Sequence, residues 1–159
     1  KAYIELATTP PKNQVRLLPV ANPSGLKIKA GDKDATQTIL IPVSEVLKYL
    51  KLPELTIISV APHMHVLGTQ IITSVDSQAL VEIPRWSFHW QQSYFLQTPM
   101  VVKGNQSVIL ECHYDNSEAN QPMVNGVKQP PRDVAWGEGT RDEMCLSFLG
   151  VRFPASVTP

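Results

Sequence analysis

The chain has 159 residues, enough for one domain with a real core. Its 14 basic and 14 acidic residues cancel, which removes the electrostatic footprint of a nucleic-acid or membrane-surface partner. No apolar run reaches the length of a transmembrane helix, and no signal-peptide pattern is read at its start. Lys1 rather than Met opens the chain, the expectation for a processed protein or an excised domain. Fourteen prolines and few helical patterns favour an all-β fold.

In chain order, residues 3–8 alternate and predict a strand, ended by Pro10-Pro11. A second strand is expected over 15–20, closed by Asn22-Pro23-Ser24-Gly25, and a third over 26–29 before the turn Gly31-Asp32-Lys33-Asp34. Residues 36–43 predict another strand, and Ser44 is a candidate cap for one short helix over 45–50. The β-branched run 54–61 leads to Pro62 and a histidine pair; strand resumes over 66–75, with Gly68 at a bulge or close contact. Asp76-Ser77-Gln78 reads as a hairpin loop. Trp86, Phe88 and Trp90 alternate with Ser87 and His89, which predicts a strand with three core-facing aromatics. After the turn Lys103-Gly104-Asn105 comes a strand over 107–114, then a long loop over 115–132, order again at 134–137, and a last apolar strand over 146–151. About ten short strands make an antiparallel β-sandwich of jelly-roll type, one domain over residues 1–159, the expected fold.

The chemistry centres on His63 and His65, one residue apart in a run read as strand. Side chains two apart on a strand share a face, so both imidazoles can reach one metal ion while Met64 points away. A third donor must come from elsewhere. Met144 and Cys145 are strand neighbours and face opposite ways, so Met144 can turn to a metal while Cys145 turns inward toward Cys112. A thioether beside two imidazoles favours copper, Cu(I) above all, over zinc. Cys112 and Cys145 permit one disulfide or two buried thiols. His89 reads as hydrogen-bonded or exposed rather than a ligand. Asp142-Glu143 diverge on a strand and make a poor acid/base couple, with solvent or contacts within the turn as their expected surroundings.

The motif His63-Met64-His65-Val66-Leu67-Gly68, followed about 80 residues later by Gly139-Thr140-Arg141-Asp142-Glu143-Met144, resembles the C-terminal domain of the copper type II, ascorbate-dependent monooxygenases. That family includes peptidylglycine α-hydroxylating and dopamine β-monooxygenases. The likeness covers roughly residues 26–151. Trp86-Ser87-Phe88-His89-Trp90-Gln91-Gln92, Tyr114-Asp115-Asn116-Ser117 and Trp136-Gly137-Glu138 look closest to bacterial members. The resemblance implies that His63, His65 and Met144 ligate one copper that binds O2 and hydroxylates a C–H bond of a small organic substrate. It further implies a Cys112–Cys145 disulfide, a periplasmic or extracellular location, and an upstream redox or three-histidine copper domain that supplies electrons. His89 and His113 are the only other histidines, too few for that second site. Ala61 stands where the amidating enzymes place an arginine for the substrate carboxylate, and Phe148 where they have a tyrosine, which argues against a peptidylglycine substrate. A copper-binding or electron-transfer module without oxygenase activity is the second reading, and a metal-free sandwich the third.

Overall fold

Alternation drives the architecture. In a computed structural model, which describes residues 3–6 and 8–155, buried and exposed side chains alternate along nearly every long strand. The elements are β1 (Asn13–Ala21), a 3-10 turn (Pro23–Gly25), β2 (Lys27–Ile28), β3 (Ala35–Pro42), α1 (Val43–Leu50), β4 (Leu55–His63), β5 (Gly68–Val75), β6 (Gln78–Ile83), β7 (Tyr94–Val102), β8 (Ser107–Tyr114), β9 (Met123–Val124), β10 (Val127–Lys128), β11 (Val134–Ala135) and β12 (Leu146–Pro154). Two four-stranded antiparallel sheets result, in the orders β1-β12-β4-β7 and β3-β8-β5-β6. The expected all-β sandwich is the observed fold.

The core lies between the sheets. Leu55, Ile57, Val60, Leu149, Val151 and Phe153 of the first sheet join Ile39, Ile71, Val75, Val108 and Leu110 of the second, all buried. Two links cross this apolar layer near one end. Thr73 donates its hydroxyl to Ser147 over 3.1 Å, both side chains fully buried, and Cys112 on β8 is disulfide-bonded to Cys145, just ahead of β12. Cys145 therefore does point inward, although Met144 and Cys145 lie ahead of β12 and are not neighbours on a strand as expected.

Several expectations need correction. Residues 3–6 form no strand, and Tyr3, Ile4 and Leu6 are all more than 80 % exposed; alternation without a partner strand gives no ladder, and Ala7 lies outside the described residues. Ser44 does not cap α1. The helix starts two residues earlier than expected, after Pro42 and with no side-chain cap, and Val43 N–H is satisfied by the Gln106 carbonyl at 3.0 Å. Strand β4 ends at His63, so His65 sits in the connection to β5 rather than on a strand. The aromatic run is likewise no strand: Trp90 N–H closes a turn onto the Ser87 carbonyl, Trp86 is half-buried against the core and Trp90 is 68 % exposed. The long loop folds on itself. It contains the β9–β10 hairpin and buries the Asn116 and Gln121 side chains, with Asn116 Nδ2 donating to the Lys29 and Arg132 carbonyls and Gln121 Nε2 to Asn116 Oδ1.

Gly68 meets both of its expectations. The β5–β8 register shifts between Gly68 and Gln70, and a Cβ at Gly68 would come within 2.7 Å of Met64 Cε and 2.9 Å of Trp86 Cδ1. Only glycine lets the chain turn into β5 against these two side chains.

The disulfide closes a loop between residues 33 apart, for which the chain-entropy model gives about 3–4 kcal/mol. The double substitution Cys112→Ser/Cys145→Ser should lower the urea unfolding free energy by about that much, with the slope against denaturant raised if the unfolded chain expands.

Candidate metal centre

The histidine pair is positioned by two strands and one connection. His63, the last residue of β4, is in register with Leu146, the first of β12. Two residues beyond that pair, His65 and Met144 both lie outside the ladder, and a shared acceptor brings their backbones together. Ser147, Leu149 and Val151 of β12 are buried, so Leu146 and Phe148 share the outer face with Ala61 and His63. His63 is half-buried, His65 and Met64 are buried, and Met144 is half-buried. The two imidazoles meet edge to face with ring centroids 5.1 Å apart.

Both rings are held by their Nδ1 atoms. Gln91 Nε2 donates to the Phe88 carbonyl over 2.7 Å, which fixes the amide and presents Oε1 to His63 Nδ1 at 2.6 Å. His65 Nδ1 lies 2.9 Å from the Asp142 carbonyl. Each partner is an acceptor only, so each Nδ1 carries the proton and each Nε2 keeps a free lone pair. Burial holds His63 below the ordinary histidine range, against the opposing pull of Gln91, so its ring is neutral at pH 7 and able to accept a metal.

Glu143 organises the backbone around the pair. Its side chain is 0 % exposed. Oε2 accepts the His65 N–H at 2.8 Å and the Met144 N–H at 3.2 Å, and Oε1 accepts the Leu67 N–H at 2.6 Å. One carboxylate oxygen thus binds the backbones of His65 and Met144 together. Burial pushes the Glu143 carboxyl up to about 7, opposed by the N–H groups of His65, Leu67, Met144 and Gly68. Around it, Tyr114 donates its hydroxyl to the Met144 carbonyl over 3.0 Å; burial and the nearby carboxylate push the phenol pKa far up, so it remains a donor. Arg132 pairs with Asp142 at 2.8 Å and holds that carboxyl below the usual carboxylate range. The Trp86 indole N–H donates to the His65 carbonyl over 3.1 Å, and Phe88 packs edge-on to the His65 ring at 5.8 Å.

Of the residues singled out from the sequence, His63 and His65 come together, Cys112 and Cys145 are bonded, and Met144 shares the anchor of His65. His89 is exposed beside Phe88, and His113 pairs with Glu111 at 2.6 Å on β8. Among the described residues no three His, Cys, Asp or Glu side chains gather as a metal-holding group. Sequence reasoning missed Glu143, assigned to solvent or turn contacts; Gln91, not considered at all; and the place of Phe88 against His65. Only the position of Glu143 directly before Met144 offered a signal. Beside His63 opens a shallow cleft of about 250 Å³, walled by Ala61, Pro62, Phe148, Gln91, Gln92 and Ser93. It contains no arginine or lysine.

A half-open histidine pair with both Nδ1 atoms engaged, beside an antiparallel sandwich, is a candidate metal centre of a kind that suits copper among other metals. The sequence match then narrows the class: residues 16–153 fit the model of the copper type II ascorbate-dependent monooxygenase C-terminal domain, and the chain belongs to that family. The family is copper-dependent. No curated protein sequence matches the chain significantly.

Removing the Glu143 carboxylate should leave the buried N–H groups of His65 and Leu67 without acceptors. Glu143→Ala is expected to cost roughly 3 kcal/mol or more and to accelerate hydrogen exchange at those two amides. The pH dependence of the metal-free protein has a fixed sign. An ordinary glutamate loses its proton near 4.5, whereas the folded Glu143 keeps it to about 7. The native state therefore binds more protons between those values, and its stability falls as pH rises through that window. Urea unfolding at a series of pH values should show this slope in the natural chain and a flatter one in Glu143→Gln.

Proposed function

We propose that His63 and His65, through their Nε2 atoms, and Met144, through its thioether, hold one copper ion. In this reading the chain is the oxygen-activating domain of a copper monooxygenase. The observation that carries it is the pair of Nδ1 hydrogen bonds, to Gln91 and to the Asp142 carbonyl, which leave both Nε2 lone pairs unengaged. The donor set suits copper, since imidazole and thioether together favour Cu(I). Two protein nitrogens and one weak sulfur leave room for a further ligand, and the open side faces the cleft next to His63.

When bound, copper supplies the activation of O2 and hydroxylation of a substrate C–H bond, one oxygen atom entering the substrate and the other leaving as water. The protein residues have other tasks. Gln91 and Asp142 hold the ring orientations, Glu143 fixes the distance between the two ligand-bearing segments, and Phe88 and Trp86 keep water from the buried side of His65. Ala61, Pro62 and Phe148 offer an apolar wall to the substrate. A substrate carboxylate finds no cation there, which is why we disfavour a peptidylglycine. The two electrons come from a separate redox or three-histidine copper domain of a longer, exported protein, of which residues 1–159 are the C-terminal copper-binding domain.

Anaerobic Cu(I) titration against a chelator tests the assignment. One copper per chain is expected, with Met144→Ala weakening it at least about tenfold and His63→Ala or His65→Ala more. Equal affinity in Met144→Ala would remove the methionine from the site. Because protons compete for the His63 ring, affinity should also fall on acidification, with the onset below the ordinary histidine range.

A further inference from the structure

A second cavity shares no lining residue with the cleft beside His63. It measures about 400 Å³, within the range of small-molecule sites, roughly 300–1,000 Å³. Its walls are Val66 and Phe88 from around the histidine pair and Pro122, Met123 and Val124 from the long loop, with Thr140, Arg141 and His89 supplying the polar atoms. No carboxylate lines it.

Arg141 is the informative residue. Its neighbour Arg132 is spent on Asp142 and on the Arg141 carbonyl, at 2.8 and 2.7 Å. Arg141 is half-buried and lines the cavity, and its guanidinium has no hydrogen-bond or ion-pair partner among the described residues. A guanidinium taken partly out of water and left unpaired loses solvation without recompense, whereas a carboxylate bound to it forms a charge-assisted, bidentate pair. Opposite it, the hairpin presents Met123, 62 % exposed, and Val124, 39 % exposed. These apolar side chains would be covered by an apolar ligand body. The hairpin itself is pinned by the buried Asn116 and Gln121 side chains, so the cavity is preformed and its ligand need not order the loop.

We infer that the cavity between the β9 hairpin and Phe88 binds a small amphiphilic carboxylate, an aryl or short alkyl acid, with its head group on Arg141 and its body against Val66, Phe88 and Val124. This site does not rest on the copper reading. It also differs from the cleft next to His63 in chemistry: the cleft has neutral walls, and this cavity has an unpaired cation. Phe88 lies between the cavity and the His65 ring, so occupancy is felt at His65.

Nitrogen–proton correlation spectra of the full chain, titrated with phenylbutanoate and with its neutral amide, test the proposal. The acid should shift the amides of Val66, Val124 and Arg141 and bind roughly tenfold more tightly than the amide. Arg141→Met, which keeps the apolar wall, should bind acid and amide equally. The proposal is overturned if the natural chain binds both compounds alike, if the shifted resonances lie elsewhere, or if neither compound binds at millimolar concentration. Repeating the titration on metal-free protein separates the two readings: acid binding should be retained there, and failure of the Cu(I) titration alone would then sink the copper assignment and leave this site standing.

Discussion

The carboxylate of Glu143 is the interaction on which the rest of the site depends. A charge with no exposure is costly to bury, and backbone N–H groups outside any ladder are costly to bury as well. Here each solves the other's problem. The connection between β4 and β5 leaves the first sheet at His63 and joins the second at Gly68, so the N–H groups of His65 and Leu67 have no strand partner. Glu143 reaches across from the approach to β12 and accepts both. Without that acceptor the connection would have to stay in water, and His65 could not be buried beside His63.

The same short stretch is tied down residue after residue. Asp142 gives its carbonyl to His65, Glu143 its side chain to the connection, Met144 its carbonyl to Tyr114, Cys145 its sulfur to Cys112, and Ser147 its hydroxyl to Thr73. These partners come from the β4–β5 connection, β8 and β5, so the segment is triangulated by the second sheet and the connection. On the proposed assignment, residues confined in this way would lose little freedom on taking a metal, the requirement for a site whose geometry is set by the protein. The opposite side is left open: His63 is only half-buried and faces a cleft with neutral walls. Rigidity behind the histidine pair and access in front of it arise from one topology.

How much of this was legible in the sequence follows from what each residue's signal depends on. Strands β3, β5, β8 and β12 were readable because each has one face on the core, and a two-residue period records that directly. The period misleads where no partner strand exists. Residues 3–6 alternate but have nothing to pair with, and Trp86, Phe88 and Trp90 alternate only because a turn around Ser87–Trp90 happens to space them so. Strand β7 was not assigned beyond the aromatic run; it is an edge strand carrying Pro99, with an irregular register against β4, which blunts the pattern. The histidine pair was visible as a motif, yet its chemistry is set by partners 28 and more than 70 residues away. Gln91 and Glu143 are ordinary polar residues in sequence and acquire their meaning only when the fold brings them to His63 and His65.

That dependence also bears on whether the pair is a surviving motif or a built site. Two histidines merely left on a surface would need neither ring fixed, since water satisfies an exposed imidazole on both nitrogens. Here both Nδ1 atoms are engaged, by acceptors from two different segments, and one of those acceptors is itself oriented by a second hydrogen bond from Gln91 to Phe88. Fixing two rotors costs conformational entropy of about 0.5–1 kcal/mol or more for each side chain, and the hydrogen bond to the half-exposed His63 ring returns little net stability. A sandwich with this core does not need that expense to fold. The arrangement makes physical sense if the two free Nε2 atoms have a common partner, and the family to which the chain belongs is one that uses copper.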